Sequence, residues 1–452
     1  MRSVLLVLAL VSAFPNWSSA QDLRVSQARS LLREASGLIK ENPDSQQESA
    51  AANVASQLAR SGDLVDALNT AHLLKPELQG LAISCVAWQL AHGGNADLAL
   101  SLIDSMKAGD GRDMAYVQVS QALGQKGDMD QAMIAVHRIA DPSRVAAALV
   151  QIAILQAKAG GAQEAGASLD EALEQADEYA NRNVNNGWAY LPIVQAHSQI
   201  GDVPQVFMAL NRLEAIAEEQ KAKTGQTALL DALAINEASI GDLAKATEIL
   251  QELPHADSAY MGLADSLAQR GVMAEAIAAA ENVSDSNNKD IALREIAIAR
   301  RSIDVNDSFA AIDEMSSPWN RSEALGVLAL QLAEDENPAA YQALQRWHEL
   351  KASFNVKDDK GEEMTAVTYG VLGDFESAGK ILNSIEKPDG RTWPLWNLTQ
   401  FLVNKERPQE TFSLIEQEQA AYPKIYALLG TAQGLLDVFE SETAANQQRK
   451  TK

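Results

Sequence analysis

The stretch "GDLAKATEIL", residues 241–250, decides the fold. A glycine readily takes the left-handed conformation that ends a helix. An aspartate just after it accepts hydrogen bonds from the free N–H groups of the next helix. Gly241-Asp242 therefore reads as a tight turn between two helices. Similar turns stand at Gly62-Asp63, Gly94-Asn95, Gly127-Asp128, Gly160-Gly161, Gly201-Asp202, Gly271-Val272, Asn306-Asp307 and Gly373-Asp374. Taken in chain order, the first eight are separated by steps of 32, 33, 33, 41, 40, 30 and 35 residues. The last step, 67 residues, spans two units. A period of about 34 marks a repeated helix pair.

The flanks carry the same register. Five residues after each turn stand Ala67, Ala99, Ala132, Ala165, Val206, Ala246, Ala276, Ala311 and Ala378. Seven before stand Ala55, Ala87, Ser120, Ala153, Val194, Ala234, Ala264, Ala299 and Ala366, most of them preceded by Val, Ile or Leu. Two antiparallel helices approach closely only where side chains are small. A small residue on each side of the turn lets the backbones meet, and the larger neighbour fills the space against the next pair.

This pattern resembles the tetratricopeptide repeat over roughly residues 48–400, with Tyr116, Tyr190 and Tyr260 at the family's early aromatic position and Ala51 and Glu295 departing from it. The resemblance implies an all-α, right-handed α-solenoid of about ten antiparallel helix pairs. The expected organisation is a signal peptide at 1–20, an N-terminal capping helix and linker at 22–47, repeats at 48–405, C-terminal capping helices at 406–440 and a disordered tail at 441–452. The two longest steps add about two helical turns each. The additions fall in "EALEQADEYANRNVNNGW" (171–188) and "LEAIAEEQKAKTGQ" (213–226), which read as prolonged second helices plus a loop. The unit around 320–345 is the most degenerate.

Composition agrees with helices. The 452 residues are 46% hydrophobic but only 5% aromatic, with much of the apolar content Ala, where strands would enrich for Val, Ile and aromatics. A net charge of −24 repels phosphate backbones and argues against nucleic acid as a partner. "MRSVLLVLALVSAF" followed by "PNWSSAQD" has the layout of a secretory signal peptide, with an apolar run too short to span a bilayer comfortably. Its removal takes away Arg2 and no acid, leaving −25 and no membrane span. The lone Cys85 has no partner for an intrachain disulfide, and an exported protein without disulfides fits a bacterial periplasm better than a eukaryotic secretory route, so the periplasm is expected, with the extracellular space as the alternative.

Catalytic chemistry is sparse. The six His residues include no pair at i, i+4, and no metal or cofactor is expected. "GDFESAGKI" (373–381) has the wrong spacing for a phosphate-binding loop and coincides with a repeat turn. Acid clusters such as "AEDEN" (333–337) suit solvated loops. What remains is surface. The resemblance implies that the first helix of each pair lines a concave groove. Six residues before the turns stand Ser56, Trp88, Gln121, Ile154, Gln195, Ile235, Asp265, Arg300 and Val367, joined on that face by Trp188, Met114 and Met261. Trp88, Gln121, Trp188, Gln195, Asp265 and Arg300 are the candidate binding residues. The expectation is a non-catalytic exported scaffold that holds a peptide or protein segment. The alternatives are a secreted glycan-acting enzyme on a curved helical array and a structural spacer.

Overall fold

The computed structural model describes residues 17–42, 47–182, 187–201, 204–253, 256–354 and 359–450. Most of the expected signal peptide lies outside them. The chain divides into two compact units, one of residues 91–321 and one of residues 1–90 together with 322–452.

Every described element is helical, and no strand occurs among the described residues. The chain opens with α1 (Trp17–Glu41). Pairs follow: α2 (Gln47–Arg60) with α3 (Leu64–Ala71), α4 (Pro76–His92) with α5 (Ala96–Asp104), α6 (Asp110–Gln125) with α7 (Met129–Val136), and α8 (Pro142–Lys158) with α9 (Ala162–Arg182). The next first helix is broken into a 3-10 turn at Gly187–Tyr190, α10 (Leu191–Gln195) and α11 (His197–Ile200), ahead of α12 (Pro204–Thr224). Then come α13 (Ala228–Ile240) with α14 (Leu243–Gln251), α15 (Asp257–Gln269) with α16 (Met273–Glu281), and α17 (Ser286–Arg300) with α18 (Val305–Asp313). The last pairs are α19 (Pro318–Glu334) with α20 (Ala339–Phe354), α21 (Asp359–Val371) with α22 (Phe375–Ser384), and α23 (Thr392–Asn404) with α24 (Pro408–Gln417). Helix α25 (Ala421–Lys450) closes the chain. The fold is thus an all-α array of tetratricopeptide-like helix pairs.

The turns follow the physics of their residues. Gly62, Gly94, Gly127, Gly160, Gly201, Gly241, Gly271 and Gly373 all have φ between 83° and 100°. The side chains of Asp63, Asp128, Asp242 and Asp374 each accept a hydrogen bond from the backbone N–H three residues on, at 3.3, 3.3, 3.0 and 3.1 Å. The second helices α9 and α12 each reach 21 residues, where most others have 8 to 10, so the long repeat steps are helix extensions.

The described residues hold eleven helix pairs, in line with the expected array of about ten. Four local details differ from the sequence reading. First, two turns use glutamate in the left-handed position, Glu336 and Glu406, both at φ 56°. A non-glycine residue pays for that conformation, so neither turn carries a glycine signature. The acid cluster at 333–337 is accordingly a repeat turn, where the Asn337 side chain accepts from the Ala339 N–H at 3.0 Å. Second, Asn306-Asp307 is not a turn. Helix α17 ends at Arg300 and Asp304 caps α18, accepting from the Asn306 N–H at 2.9 Å. Ala297, 1% exposed, therefore takes the packing position expected of Ala299. Third, α24 packs on α23 as the second helix of a pair. Fourth, α25 continues to Lys450 through the segment expected to be disordered. "SETAANQQRK" contains no Gly or Pro and is rich in good helix formers, so it propagates the helix that precedes it.

The small residues flanking the turns are spatial. Ala67, Ala99, Ala132, Ala246, Ala276 and Ala311, and across the turns Ala55, Ala87, Ala153, Ala264 and Ala366, are all 0% exposed. Ala234→Leu and Ala246→Leu, at sites 1% and 0% exposed, are each expected to destabilise the protein by about 1–3 kcal/mol through overpacking. Urea unfolding of the two variants checks this, and unchanged midpoints would make the alanines merely compositional.

Candidate binding surface

Successive pairs are locked together by a device at the start of the first helices. The Asp113 carboxylate accepts from the backbone N–H groups of Ala140 and Asp141 at 3.2 and 3.1 Å. Asp257 accepts from Ser284 and Asp285 at 2.8 and 3.0 Å, and Asp290 from Ser316 and Ser317 at 2.8 and 3.0 Å. Each aspartate holds the loop that leads into the following pair. The signal was in the sequence, since Asp113 and Asp257 stand fourteen residues before their glycines and Asp290 fourteen before Asp304.

The second helices spend their charges on one another. The hydroxyl of the buried Tyr116 donates to Asp104, which Arg138 also meets at 2.7 Å. Tyr190 and Asp177 repeat this at 2.6 Å, with Arg212 on the same carboxylate at 2.6 Å. Burial, then the hydrogen bond to the neighbouring aspartate, pushes both phenols up from their ordinary values. Lys245 reaches Glu214 at 2.8 Å, and Lys221 reaches Glu252 at 2.7 Å. These aromatic and charged side chains are structural ties between repeats.

Exposed apolar side chains occur on the first-helix surface of residues 91–321 as well as on the second helices, which expose Leu98, Ile134, Phe207 and Met208. Met114 on α6 and Trp188 on the 3-10 turn are each 45% exposed. Gln121 is partly buried, and Gln195, at the end of α10, is exposed. Trp188 is carried by a 3-10 turn because Pro192 enters the following turn and Gly187 packs closely: a Cβ there would lie 2.9 Å from Leu213 Cδ1. Asp265 on α15 is partly buried and accepts from Gln269 Nε2 at 2.9 Å. Burial raises its pKa, and the nearby Glu295 adds to the rise. Burial likewise raises that of Asp231 on α13, whose Oδ1 has no hydrogen-bond partner. Two half-buried carboxylates thus stand among Ile235 and Met261.

The six candidates do not all belong to this surface. Arg300 is 7% exposed and its guanidinium meets the Asp307 carboxylate at 2.7 and 3.0 Å, so it is spent inside its own pair. The misplaced Asn306 turn put it on the wrong face. Trp88 is partly buried and lies in the other unit. Two expected lining residues, Ile154 and Val367, are each 4% exposed and belong to the core.

Between α22 and α24 run two adjoining clefts of about 220 and 320 Å³ that share Gly379, Asn383, Leu414 and Gln417. Their carboxylates are taken by cations: Glu376 by Lys380 at 2.6 Å, Glu418 by Arg391 at 2.8 Å, and Glu410 by Arg407. Among the described residues no group of three His, Cys, Asp or Glu could hold a metal, and no helix is long and apolar enough to cross a membrane.

No protein-family model matches the sequence, and no curated protein matches it. Among solved structures, the chain is similar to Ton1535 from Thermococcus onnurineus NA1 at 16% identity, covering 83% of this chain and 96% of that one with a TM-score of 0.27. It is similar to the pentatricopeptide repeat protein PPR10 from maize at 16% identity, over 96% of this chain and 66% of that one, with a TM-score of 0.32. A third is Cut9 with Hcn1 of the APC/C hetero-tetramer, at 13% identity over 90% and 94%, with a TM-score of 0.24. Nothing about function follows from likenesses at these scores.

Proposed function

We propose that the protein is a non-catalytic scaffold, exported to the periplasm, that holds an extended polypeptide segment against the first-helix surface of residues 91–321. One observation carries this reading. The charged side chains of the second helices bind neighbouring repeats, while the first helices present exposed Met114, Trp188 and Gln195 beside the partly buried Gln121. Glutamine amides can both donate to and accept from a peptide backbone, and an exposed indole offers a large apolar anchor. The N-terminal apolar run supports export, the lack of a disulfide then fits a bacterial periplasm better than a eukaryotic secretory route, and the net charge of −24 disfavours nucleic acid.

Trp188→Ala is expected to weaken partner binding about thirtyfold, the equivalent of ~2 kcal/mol, and to leave thermal unfolding nearly unchanged. Titration of the captured partner and calorimetry on the same variant check this. A variant that binds normally, or one that loses stability without a specific loss of affinity, refutes the anchoring role. Trp88→Ala, in the other unit, is the companion measurement.

A further inference from the structure

Helix α1 occupies the place of a second helix, and it is the first helix among the described residues. Second helices of adjacent pairs meet at separations of 34, 35 and 31 residues in Arg138–Asp104, Arg212–Asp177 and Lys245–Glu214. Helix α1 meets α3 in the same way. Arg33 pairs with Asp63 at 2.5 Å and Asp66 at 2.6 Å, and Ser36 Oγ lies 2.9 Å from Thr70 Oγ1, at separations of 30, 33 and 34.

The helix packed beside α1 in the place of a first helix is α25. It lies beside the first helix α23, where Trp396 Nε1 donates to Gln433 at 2.9 Å and Gln400 Nε2 to Asp437 at 2.8 Å. On its other side Arg60, at the end of the first helix α2, forks onto Asp437 at 2.8 Å and Glu440 at 2.7 Å. Against α1 it pairs Glu442 with Arg24. Helices α1 and α25 pack together, with Ala28, Leu31, Leu32 and Ala35 of α1 and Leu428, Leu429, Ala432, Leu435 and Leu436 of α25 all buried.

We propose that α1 and α25 are the two halves of one split helix pair, and that α25 acts as a clasp on which the folding of the N-terminal helices depends. A lone amphipathic helix is marginal in water and gains its stability from packing. Helix α1 packs on α2 and reaches α3, but its most extensive packing is against α25, so its full stability depends on residues far along the chain. The Arg60–Glu440 contact spans 380 residues. Closure over that length is entropically affordable, because its cost rises only with the logarithm of loop length. The consequence is an N-terminal helix whose main packing partner lies almost four hundred residues further along the chain.

The full chain carrying Leu428→Asp and Leu435→Asp tests this by hydrogen exchange. Residues 23–41 are expected to exchange at least about a hundredfold faster, together with 392–404, while residues 142–158 keep their protection. Added peptide 421–445 is expected to restore protection at 23–41. Retained protection at 23–41, with 392–404 exposed, overturns the proposal. Should 142–158 also lose protection, a crosslink on the otherwise native chain decides. Arg24→Cys with Glu442→Cys, in a Cys85→Ser background, is expected to join within one chain through a short bismaleimide at high dilution. No link, or a link only between chains, overturns the proposal.

Discussion

Gly430→Ala destabilises the protein, and Gly379→Ala stabilises it, although both replace a helical glycine in the same unit. In a helix interior alanine is favoured over glycine by about 0.5–1 kcal/mol. At Gly379 nothing lies within 4 Å of the new Cβ, so that gain is expected to appear in full. At Gly430 the added carbon would sit 2.1 Å from the Trp396 carbonyl oxygen and 2.5 Å from Thr399 Oγ1. The carbonyl belongs to the backbone of α23 and cannot rotate away. Helices α23 and α25 must then separate, which breaks the 3.0 Å hydrogen bond from Thr399 Oγ1 to the Ala427 carbonyl. The net loss is expected at about 1–3 kcal/mol or more. Urea midpoints of the two variants check the opposite signs, and equal shifts would contradict the close approach.

Trp347→Ala is expected to cost about 3–5 kcal/mol, the scale of a large buried side chain removed from a packed core. Trp347 on α20 is 2% exposed, with the Lys351 ammonium 4.9 Å from its ring centre. Its Nε1 is buried without a hydrogen-bond partner. Trp347→Phe should therefore cost much less, because it keeps most of the packing and removes an unsatisfied donor. Thermal unfolding of the two variants checks the ranking. A phenylalanine variant as unstable as the alanine one would mean that the indole N–H is satisfied.

The repeat was legible because glycine is the one residue that takes the left-handed turn cheaply. Wherever glycine marked the turn, the flanking small residues fell into the core, as Ala234 and Ala246 did. The reading failed where another residue accepts the strain. Glu336 and Glu406 are invisible to a glycine search, and Asn306, a reasonable substitute by chemistry, stands inside a helix. That one misplaced turn moved Arg300 from a buried ion pair to an imagined surface. The contacts of α25 with α1 were out of reach for a different reason. Local pattern shows that both segments form helices, but not that a helix at one end of the sequence is the partner of a helix at the other. The surface candidates lie between these cases. Trp188 and Gln195 are exposed, although the helix expected to carry them is broken, whereas the ladder from Asp104 to Arg138 depends on a separation of 34 residues that only the packed array makes short.

The scaffold reading meets its most direct test in site-specific photocrosslinking in the intact cell. A benzophenone side chain placed at Gln195 or Gln121 on the first helices is expected to give a discrete polypeptide adduct, and Trp188→Ala in the same chain to abolish it. The same probe at the exposed Glu248 of the second helix α14 is expected to give none. Adducts that form equally at Glu248, or that survive loss of Trp188 at both first-helix sites, would contradict a partner held on the first-helix surface.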